Sequence, residues 1–255
     1  MISSSTTTRA TDDITSANDF VSTGLARHYA PHGFSDRFAL AITKALRWGA
    51  DTFFAKRYGH RAIVLETVAA VPGMVGATLT HLRALRRMED DGGWIRTLMD
   101  EAENERMHLM TFIAIAQPSW FERMVILAVQ WLFYVGFFLL YLVSSKTAHR
   151  LVGYFEEEAV LSYTMYLAEI DAGRHDNPPA PPVAMRYWQL PNGTTLRDVI
   201  LIIRDDEAHH RDTNHYMAST LGGRDADKSA IMPCAPHFML AVEDVRADEA
   251  LAIKA

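Results

Sequence analysis

The sequence predicts an all-α protein, built as a four-helix bundle with two additional helices in a membrane interface. Three observations lead to this prediction. Long segments with helical hydrophobic periodicity dominate the chain, and no stretch alternates polar and apolar residues as a strand does. Proline and glycine clusters separate these segments. Residues able to bind metal recur in four of the six predicted helices, as they do in bundles that enclose a metal site.

The composition bounds the class of protein. The 255 residues carry a net charge of -6, which gives no reason to expect a nucleic acid partner. Cys234 is the only cysteine, so the chain has neither an intrachain disulfide nor a cysteine-based metal site. We expect 1–33 to be a disordered tail without a secretion signal. Residues 34–220 form the predicted bundle domain, and 221–255 form a C-terminal tail.

Six helices are predicted in order, and turn-forming residues separate them. Their expected ranges are about 36–58, 62–89, 94–116, 119–146, 148–172 and 195–220. Asp-Asp-Gly-Gly and Gln-Pro sequences divide the second, third and fourth helices, and a proline-rich loop at 177–182 precedes the last. Ser35 or Asp36 is the expected cap of the first helix, and Thr194 or Thr195 that of the last.

Two of these helices have features of a membrane interface. In the first, Phe38, Ile42 and Leu46 fall near one face and basic residues decorate the rest, although an ordinary amphipathic helix covering a core has the same pattern. In the fourth, 125–143 has Gln130 as its one strongly polar residue and no charge. That length meets the criterion for a transmembrane helix. The alternatives are a helix in the membrane interface and a buried helix in a soluble oligomer.

Two predicted helices share a possible metal-binding motif, Glu-x-x-His. The two motifs consist of Glu105 and His108 in the third helix and of Glu207 and His210 in the sixth. Three residues are close to one helical turn, so the carboxylate and the imidazole project toward one point. The preceding residues, Asn104 and Asp206, are positioned to orient the imidazole of the opposite helix.

Two further helices offer a glutamate in apolar surroundings. Glu66 has no basic residue at helical spacing in the following turn, so its burial requires another cation. In the fifth helix, periodicity does not decide which of Glu156, Glu157 and Glu158 points inward. One glutamate from each of two helices and Glu-x-x-His from each of two others form the ferritin-like di-metal pattern. Four carboxylates neutralise two divalent cations, and mixed oxygen and imidazole ligands favour iron or manganese.

The ligand set also bears on the fourth helix. Glu66 and Glu105 precede this helix, whereas the fifth-helix glutamates and Glu207 follow it. A single crossing would separate the two halves of the site across the bilayer, so we expect this helix to lie in the interface with one face in lipid. We expect His60, His81, His209 and His215 to be surface or structural residues, and Glu101 and Glu103 to be solvated.

These motifs resemble the alternative oxidases, a family of membrane-bound di-iron quinol oxidases. The resemblance covers about 61–218, and its motifs are Leu65-Glu66-Thr67, Asn104 to Leu109, Glu156 to Ala159, and Arg204 to Ala208 with His210. It implies two iron ions held by Glu66, Glu105, Glu156 and Glu207. It therefore selects Glu156 from the run of three. His108 and His210 belong to the implied site, either bound to iron directly or held one layer away by Asp206 and Asn104.

The resemblance also implies which residues surround the metals. Tyr163 is the tyrosine beside the iron and the candidate for a transient radical. The residues expected around the ligands are Asn104, His149, Tyr187, Trp188 and Asp206. The residues expected in a quinol pocket are Arg61, Leu65, Phe155, Glu158 and Ser162. Phe155 and Ser162 replace a leucine and a threonine of the family.

The implied activity is a cyanide-insensitive oxidation of two ubiquinols, coupled to the four-electron reduction of oxygen to water without proton pumping. The implied protein is a homodimer bound to lipid on one side of a membrane. We expect the cytoplasmic face of a bacterial inner membrane, with the matrix side of the mitochondrial inner membrane as the alternative. Three other interpretations remain: an iron-storage or structural metal-binding bundle, a di-iron hydroxylase, and a membrane-associated bundle without metal.

Overall fold

The computed structural model describes residues 25–54 and 58–222, and within these ranges it contains helices and no strand. The helices are α1 (Gly33–Phe54), α2 (Tyr58–Arg87), α3 (Trp94–Ala116), α4 (Trp120–Val143), α5 (Ser145–Asp171), α6 (Pro182–Tyr187) and α7 (Leu196–Leu221). The all-α prediction is confirmed. The short α6 is too brief for its periodicity to predict it, and it starts with a proline, whose missing N–H is harmless in a first turn.

Local sequence determines several helix ends. The Ser119 side chain accepts a hydrogen bond from the Glu122 amide, and the Glu122 carboxylate accepts one from the Ser119 amide, which forms a capping box at the start of α4. Thr195 and Asp198 form a similar box at the start of α7, so Thr195 is confirmed as a cap. Gln117, with a φ of 44°, ends α3 just before a proline.

The bundle consists of α2, α3, α5 and α7. α2 packs along α3, α5 packs along α7, and the two pairs meet through α2 with α5 and α3 with α7. Gly73 permits the close approach of α2 to α3, because a Cβ there would collide with the carbonyl oxygen of Leu98 and with Ala102. α1 lies on α5, and α4 lies on α2 and α5. The predicted arrangement of a bundle with two additional helices is therefore confirmed.

Apolar clusters join these helices. Phe112 of α3, Tyr163 of α5 and Ile200 of α7 belong to one buried cluster. A second cluster joins α4 to α2 and α5, with Phe137 and Leu151 among its members. Complete burial of each such side chain contributes about 1.5–3 kcal/mol, so these contacts hold the bundle and its additional helices together.

α2 and α4 both have the length and composition of a membrane-spanning helix, but their burial differs. Of the most apolar window, 61% is buried in α2 and 11% in α4. α2 is thus a core helix. On α4 the side chains of Trp131, Leu132, Leu139 and Val143 are exposed. The polar Gln130 is turned inward and donates a hydrogen bond to the Thr67 carbonyl oxygen of α2 at 3.2 Å.

A buried ion pair fastens α1 to α5. Asp36 and Arg150 are both fully buried, and Arg150 Nε lies 3.2 Å from Asp36 Oδ1. Asp36 also accepts a hydrogen bond from the His32 amide and lies inside α1, so the expectation that Ser35 or Asp36 caps this helix is wrong. The Arg150 guanidinium lies 3.6 Å from the centre of the Tyr29 ring, so the segment before α1 also packs on the bundle.

Candidate metal centre

The four bundle helices direct acidic and imidazole groups into the interior. Glu66, Glu105, His108 and Glu207 each offer a ligand atom, and these atoms all lie within 4.8 Å of one another. All four residues are buried. Glu156 of α5 is also buried, and its carboxyl group faces Glu207. Bundle packing therefore brings together carboxylates from positions as far apart in the chain as α2 and α7.

The His108 ring lies at the centre of this cluster. Its Nδ1 is 3.2 Å from Glu207 Oε1 and 3.4 Å from one oxygen each of Glu66 and Glu105. Its Nε2 is 3.3 Å from Asp206 Oδ2. Asp206 thus contacts the imidazole of the opposite helix, as the spacing of the motifs predicts. The contact fixes which ring nitrogen faces the carboxylates.

His210 reaches the cluster from the other motif. Its Nδ1 lies 2.6 Å from Glu105 Oε1. Asn104, which we expected to orient this imidazole, contacts other groups in the structure. Its side-chain amide donates to Asp206 Oδ2 at 3.1 Å and to the Tyr187 hydroxyl at 3.3 Å. The two motifs are therefore related by sequence, but their surroundings differ.

The carboxyl groups of the cluster repel one another in the absence of cations. Burial raises the pKa of Glu66 well above its ordinary value, and the charges of Glu207 and Glu105 raise it further. Burial and Glu207 likewise raise the pKa of Glu156. Burial also acts to raise the pKa of Glu105, but the adjacent His108 and His210 outweigh it and hold this pKa below its usual range. Glu105 in turn raises the pKa of His210 to about 9, against the effect of burial.

The unpaired atoms of the cluster fit a metal. Among the described residues, no well-oriented hydrogen bond is made by Glu66 Oε2, Glu105 Oε1 and Oε2, His108 Nδ1, Glu207 Oε2, and His210 Nδ1 and Nε2, although several of these atoms lie within 3.4 Å of one another. Buried polar atoms without partners destabilise a fold, and two divalent cations would satisfy them and cancel four carboxylates. Oxygen and imidazole donors suit iron or manganese. The residues that would hold two iron ions are Glu66, Glu105, Glu156 and Glu207, with His108 and His210.

Tyr163 lies directly beside the cluster. Its hydroxyl donates a hydrogen bond to Glu66 Oε1, and its ring stacks on Phe112 at a centroid distance of 5.7 Å. Burial raises the pKa of Tyr163 well above its ordinary value, and the charges of Glu66 and Glu207 add to this effect. The phenol therefore keeps its proton and points it at a candidate ligand.

Two aromatic residues flank His108 on its outer side. The Trp188 ring lies 5.9 Å from the His108 ring at an angle of 18°, and the Tyr187 ring is perpendicular to Trp188 at 4.9 Å. The Trp188 indole N–H donates to Asp206 Oδ2 at 3.4 Å. Asp206, Tyr187 and Trp188 thus form one group around His108, and Asn104 joins it through its amide.

A buried carboxylate behind the cluster corrects one expectation. Glu101 is only 3% exposed, so the expectation that it is solvated is wrong. Both of its carboxylate oxygens accept hydrogen bonds from Asn214, and burial raises its pKa to about 7. Glu101 precedes Glu105 by four residues, and this spacing alone places both on one helix face. Glu103 is exposed, as expected.

His149, another residue expected around the ligands, is buried. Its Nδ1 bonds with the side-chain oxygen of Asn214 at 3.0 Å, and its Nε2 bonds with the Tyr141 hydroxyl at 3.0 Å. Asn214 also donates to the backbone carbonyl oxygen of His210. His149 is therefore connected to the ligand helices through Asn214.

An apolar cavity of about 420 Å³ reaches the carboxylates. The predicted pocket residues Arg61, Leu65, Phe155, Glu158 and Ser162 all line it, together with Glu66, Glu156 and Glu207. Its lining also includes exposed residues of the two additional helices, Leu46 of α1 and Val129 of α4. The cavity thus connects the outer apolar helices with the cluster.

Ion pairs and a hydrogen bond order the polar wall of this cavity. Arg61 Nη2 donates to Ser162 Oγ at 3.0 Å, and Arg61 Nη1 lies 2.5 Å from Asp51 Oδ1. Glu158 pairs with Arg47 at 2.6 Å and with Lys44 at 2.7 Å. These contacts hold α1 against α2 and α5 and fix the direction of the Arg61 guanidinium. Sequence reasoning did not single out Asp51, Arg47 or Lys44 as part of this wall.

Four carboxylates and two imidazoles inside a four-helix bundle define the class of di-metal carboxylate proteins. The family model described as alternative oxidase matches residues 17–219, which is most of the chain. The chain therefore belongs to the alternative oxidase family, as its motifs predict. This is a di-iron family, in agreement with the fit of the donor set.

Several curated relatives are more than half identical to the chain. "Ubiquinol oxidase 2, mitochondrial" from Nicotiana tabacum is 57% identical over 196 residues, which are 77% of this chain and 66% of that protein. "Ubiquinol oxidase, mitochondrial" from Mangifera indica is 57% identical over 77% of this chain and 62% of its own length. "Ubiquinol oxidase 1a, mitochondrial" from Arabidopsis thaliana is 57% identical over 75% of this chain and 54% of its own length. The chain thus spans less than two thirds of each of these relatives.

Proposed function

We propose that this chain is a quinol oxidase, which oxidises two ubiquinols and reduces one oxygen molecule by four electrons to water. The observation that carries this proposal is the apolar cavity between the outer helices and the carboxylate cluster. A lipid-soluble ring can enter such a cavity and approach the cluster. The relatives named ubiquinol oxidase support a quinol as the substrate.

The proposed roles of the chain's own residues follow from their contacts. Two iron ions, when bound by the cluster, supply the oxygen-binding and redox chemistry that amino-acid side chains lack. Arg61 and Ser162 bind the quinol hydroxyls, because they form a polar part of an apolar wall. Glu158 accepts a quinol proton. Leu65 and Phe155 hold the ring and keep water out of the pocket, which preserves the strength of these polar contacts.

Tyr163 is the proposed redox-active side chain. Its hydroxyl donates to Glu66, so the phenol can give up an electron while its proton moves along this hydrogen bond to the carboxylate. The stacked Phe112 holds the ring in place. This arrangement lets one residue supply an electron and a proton at the same site.

Oxygen uptake with a reduced short-chain quinol, measured in the presence of cyanide, tests this function. Iron-loaded protein should consume oxygen, and a haem–copper oxidase under the same conditions should not. Oxygen consumption that yields a hydroxylated product would favour a hydroxylase. Iron uptake and release without any turnover of quinol would favour a storage protein.

We further propose that α1 and α4 attach the protein to one face of an inner membrane. Both helices expose large apolar side chains, among them Trp48 of α1 and Leu132 of α4. The ligands on either side of α4 in the chain meet in one cluster, which argues against a crossing. The relatives named mitochondrial favour the mitochondrial inner membrane, and no comparison supports the bacterial membrane that we expected.

Liposome flotation tests the attachment. Leu132→Asp combined with Leu139→Asp should reduce co-flotation, because both side chains are more than half exposed and would carry charge into lipid. Glu103→Gln, at an exposed position of α3, is the control and should float like the unchanged protein. Equal flotation of all variants would contradict the attachment through α4.

We propose that the protein is a homodimer. Exposed apolar residues of α2 and α3, such as Leu82, Leu85 and Met99, offer a face for a second copy. Native mass spectrometry in detergent should give a mass of two chains. A single chain at all concentrations would contradict this proposal.

A further inference from the structure

The cavity beside the carboxylate cluster has an aromatic wall. Phe133 of α4 and Phe155 of α5 are the aromatic residues in its described lining. Their rings are in contact, with centroids 5.9 Å apart at an angle of 44°. Phe133 also stacks on Phe137 at 5.7 Å, which holds its ring in place. Both lining residues are half-buried, so part of each ring is open to the cavity.

Small residues follow Phe155 along the same face of α5. Ala159 and Ser162 also line the cavity, four and seven residues after Phe155. Positions with this spacing share one side of a helix. Because both side chains are short, the helix surface is low beyond Phe155. The result is a shallow recess with an aromatic ring at one end.

A polar group lies at the other end of this recess. Ser162 Oγ accepts a hydrogen bond from Arg61 Nη2 at 3.0 Å and donates one to the Glu158 carbonyl oxygen at 2.8 Å. These two bonds fix the direction of the Ser162 hydroxyl, which can still accept a second hydrogen bond. The recess thus offers a partner for a ligand hydroxyl at one end and flat ring faces at the other.

We propose that the cavity takes a naphthoquinol, a quinol with two fused rings, as a further substrate, and that Phe155 and Phe133 hold the second ring. The inference rests on the proposed function, because oxygen is the oxidant that accepts the electrons. Each naphthoquinol loses two electrons and the protons of its two hydroxyl groups. Two naphthoquinols therefore reduce one oxygen molecule to two water molecules. One hydroxyl group binds at Arg61 and Ser162.

The shapes of the two classes of quinol explain this specificity. The fused ring of a naphthoquinol is coplanar with the quinol ring, so it can lie flat against Phe155. Ubiquinol carries two neighbouring methoxy groups, which turn out of the ring plane and prevent close stacking. One stacked aromatic contact strengthens binding by about two- to tenfold. The cavity of about 420 Å³ lies in the usual range for ligand pockets, about 300–1,000 Å³, so its volume accommodates either class.

A comparison of two quinols tests the proposal. Oxygen uptake by iron-loaded protein is measured with menadiol and with ubiquinol-1 in the presence of cyanide, and the rate of Glu207→Ala is subtracted as background oxidation. Phe155→Leu should lower kcat/KM for menadiol about fivefold more than kcat/KM for ubiquinol-1, because leucine has no flat face. Phe34→Leu is the matched control and should leave this ratio unchanged. It breaks an aromatic pair with Phe38, and neither residue belongs to the described lining of the cavity.

Binding of the oxidised quinones separates this inference from the oxidase function. Isothermal titration calorimetry with iron-loaded protein needs no turnover. Phe155→Leu should weaken the binding of menadione about fivefold more than the binding of ubiquinone-1. If Phe155→Leu does not fold, Phe133→Leu replaces it, and the same loss is expected because it removes the other half of the aromatic wall.

Two results would overturn the proposal. One is an equal effect of the substitution on both quinones, which includes no effect on either. The other is oxidation of ubiquinol-1 without oxidation of menadiol. Menadione binding that depends on Phe155, without oxidation of either quinol, would instead refute the oxidase function and leave the assigned binding site.

Discussion

Replacing Glu101 with glutamine tests how a buried carboxylate behind the metal site affects the metal-free fold. Burial raises the pKa of Glu101 from 4.5 to about 7. A carboxyl group with a higher pKa in the folded state binds protons more tightly there. Protonation of Glu101 therefore favours the folded protein at low pH, and this contribution to stability is lost as the pH rises from 4.5 through 7.

The size of the effect follows from the two pKa values. The difference between a pKa of about 7 in the folded state and one of 4.5 in the unfolded state corresponds to a cost of about 3 kcal/mol in folding free energy. This cost is present in full above pH 7. At pH 5 the same difference costs about 1 kcal/mol. Glutamine has no charge to bury and can still accept the hydrogen bond from Asn214. We therefore expect Glu101→Gln to stabilise the metal-free protein by about 3 kcal/mol at pH 8 and about 1 kcal/mol at pH 5.

Urea unfolding of chelator-treated protein, followed by circular dichroism at both pH values, measures this difference. Glu103→Gln is the control, because Glu103 is exposed and forms only a surface ion pair with Arg106. Its effect should stay below about 1 kcal/mol at both pH values. A gain for Glu101→Gln that is no larger at pH 8 than at pH 5 would refute the assigned burial cost.

Three other substitutions test the site and the fold. Glu207→Ala should abolish iron content and oxygen uptake together, and retained iron with normal turnover would contradict its ligand role. Asp36→Ala leaves the buried Arg150 without its carboxylate, so it should lower the unfolding free energy by about 3–5 kcal/mol in a urea titration. Ser162→Ala removes one hydrogen bond of Arg61, which should raise KM for quinol about fivefold in steady-state assays while kcat changes little. Pure protein in proteoliposomes should oxidise quinol without translocating protons. A pH change across the membrane that depends on quinol oxidation would contradict this prediction.

Much of the candidate site is predictable because helical spacing is a local property. Glu105 and His108 lie one turn apart in any α-helix, and so do Glu207 and His210. The structure confirms helices at both motifs. Glu66 stood out because no basic neighbour could compensate its charge. These inferences needed no knowledge of which helices pack together.

The run of three glutamates shows where local spacing ends. Glu156 is 4% exposed and faces the cluster. Glu157 instead binds the Tyr29 amide and His215, and Glu158 pairs with basic residues of α1. Adjacent residues of a helix point about 100° apart, so each of the three was a candidate until packing assigned a neighbour to each direction.

Residue identity and helical spacing alone determined the six long helices, the two Glu-x-x-His motifs and the family. The burial of Glu101, the position of Asp206 between His108 and Trp188, and the outward apolar face of α4 were decided only by tertiary structure. The physical reason is that a helix places its side chains by local geometry. Which of its faces becomes dry, and which charges then meet, depends on helices that are distant in the chain.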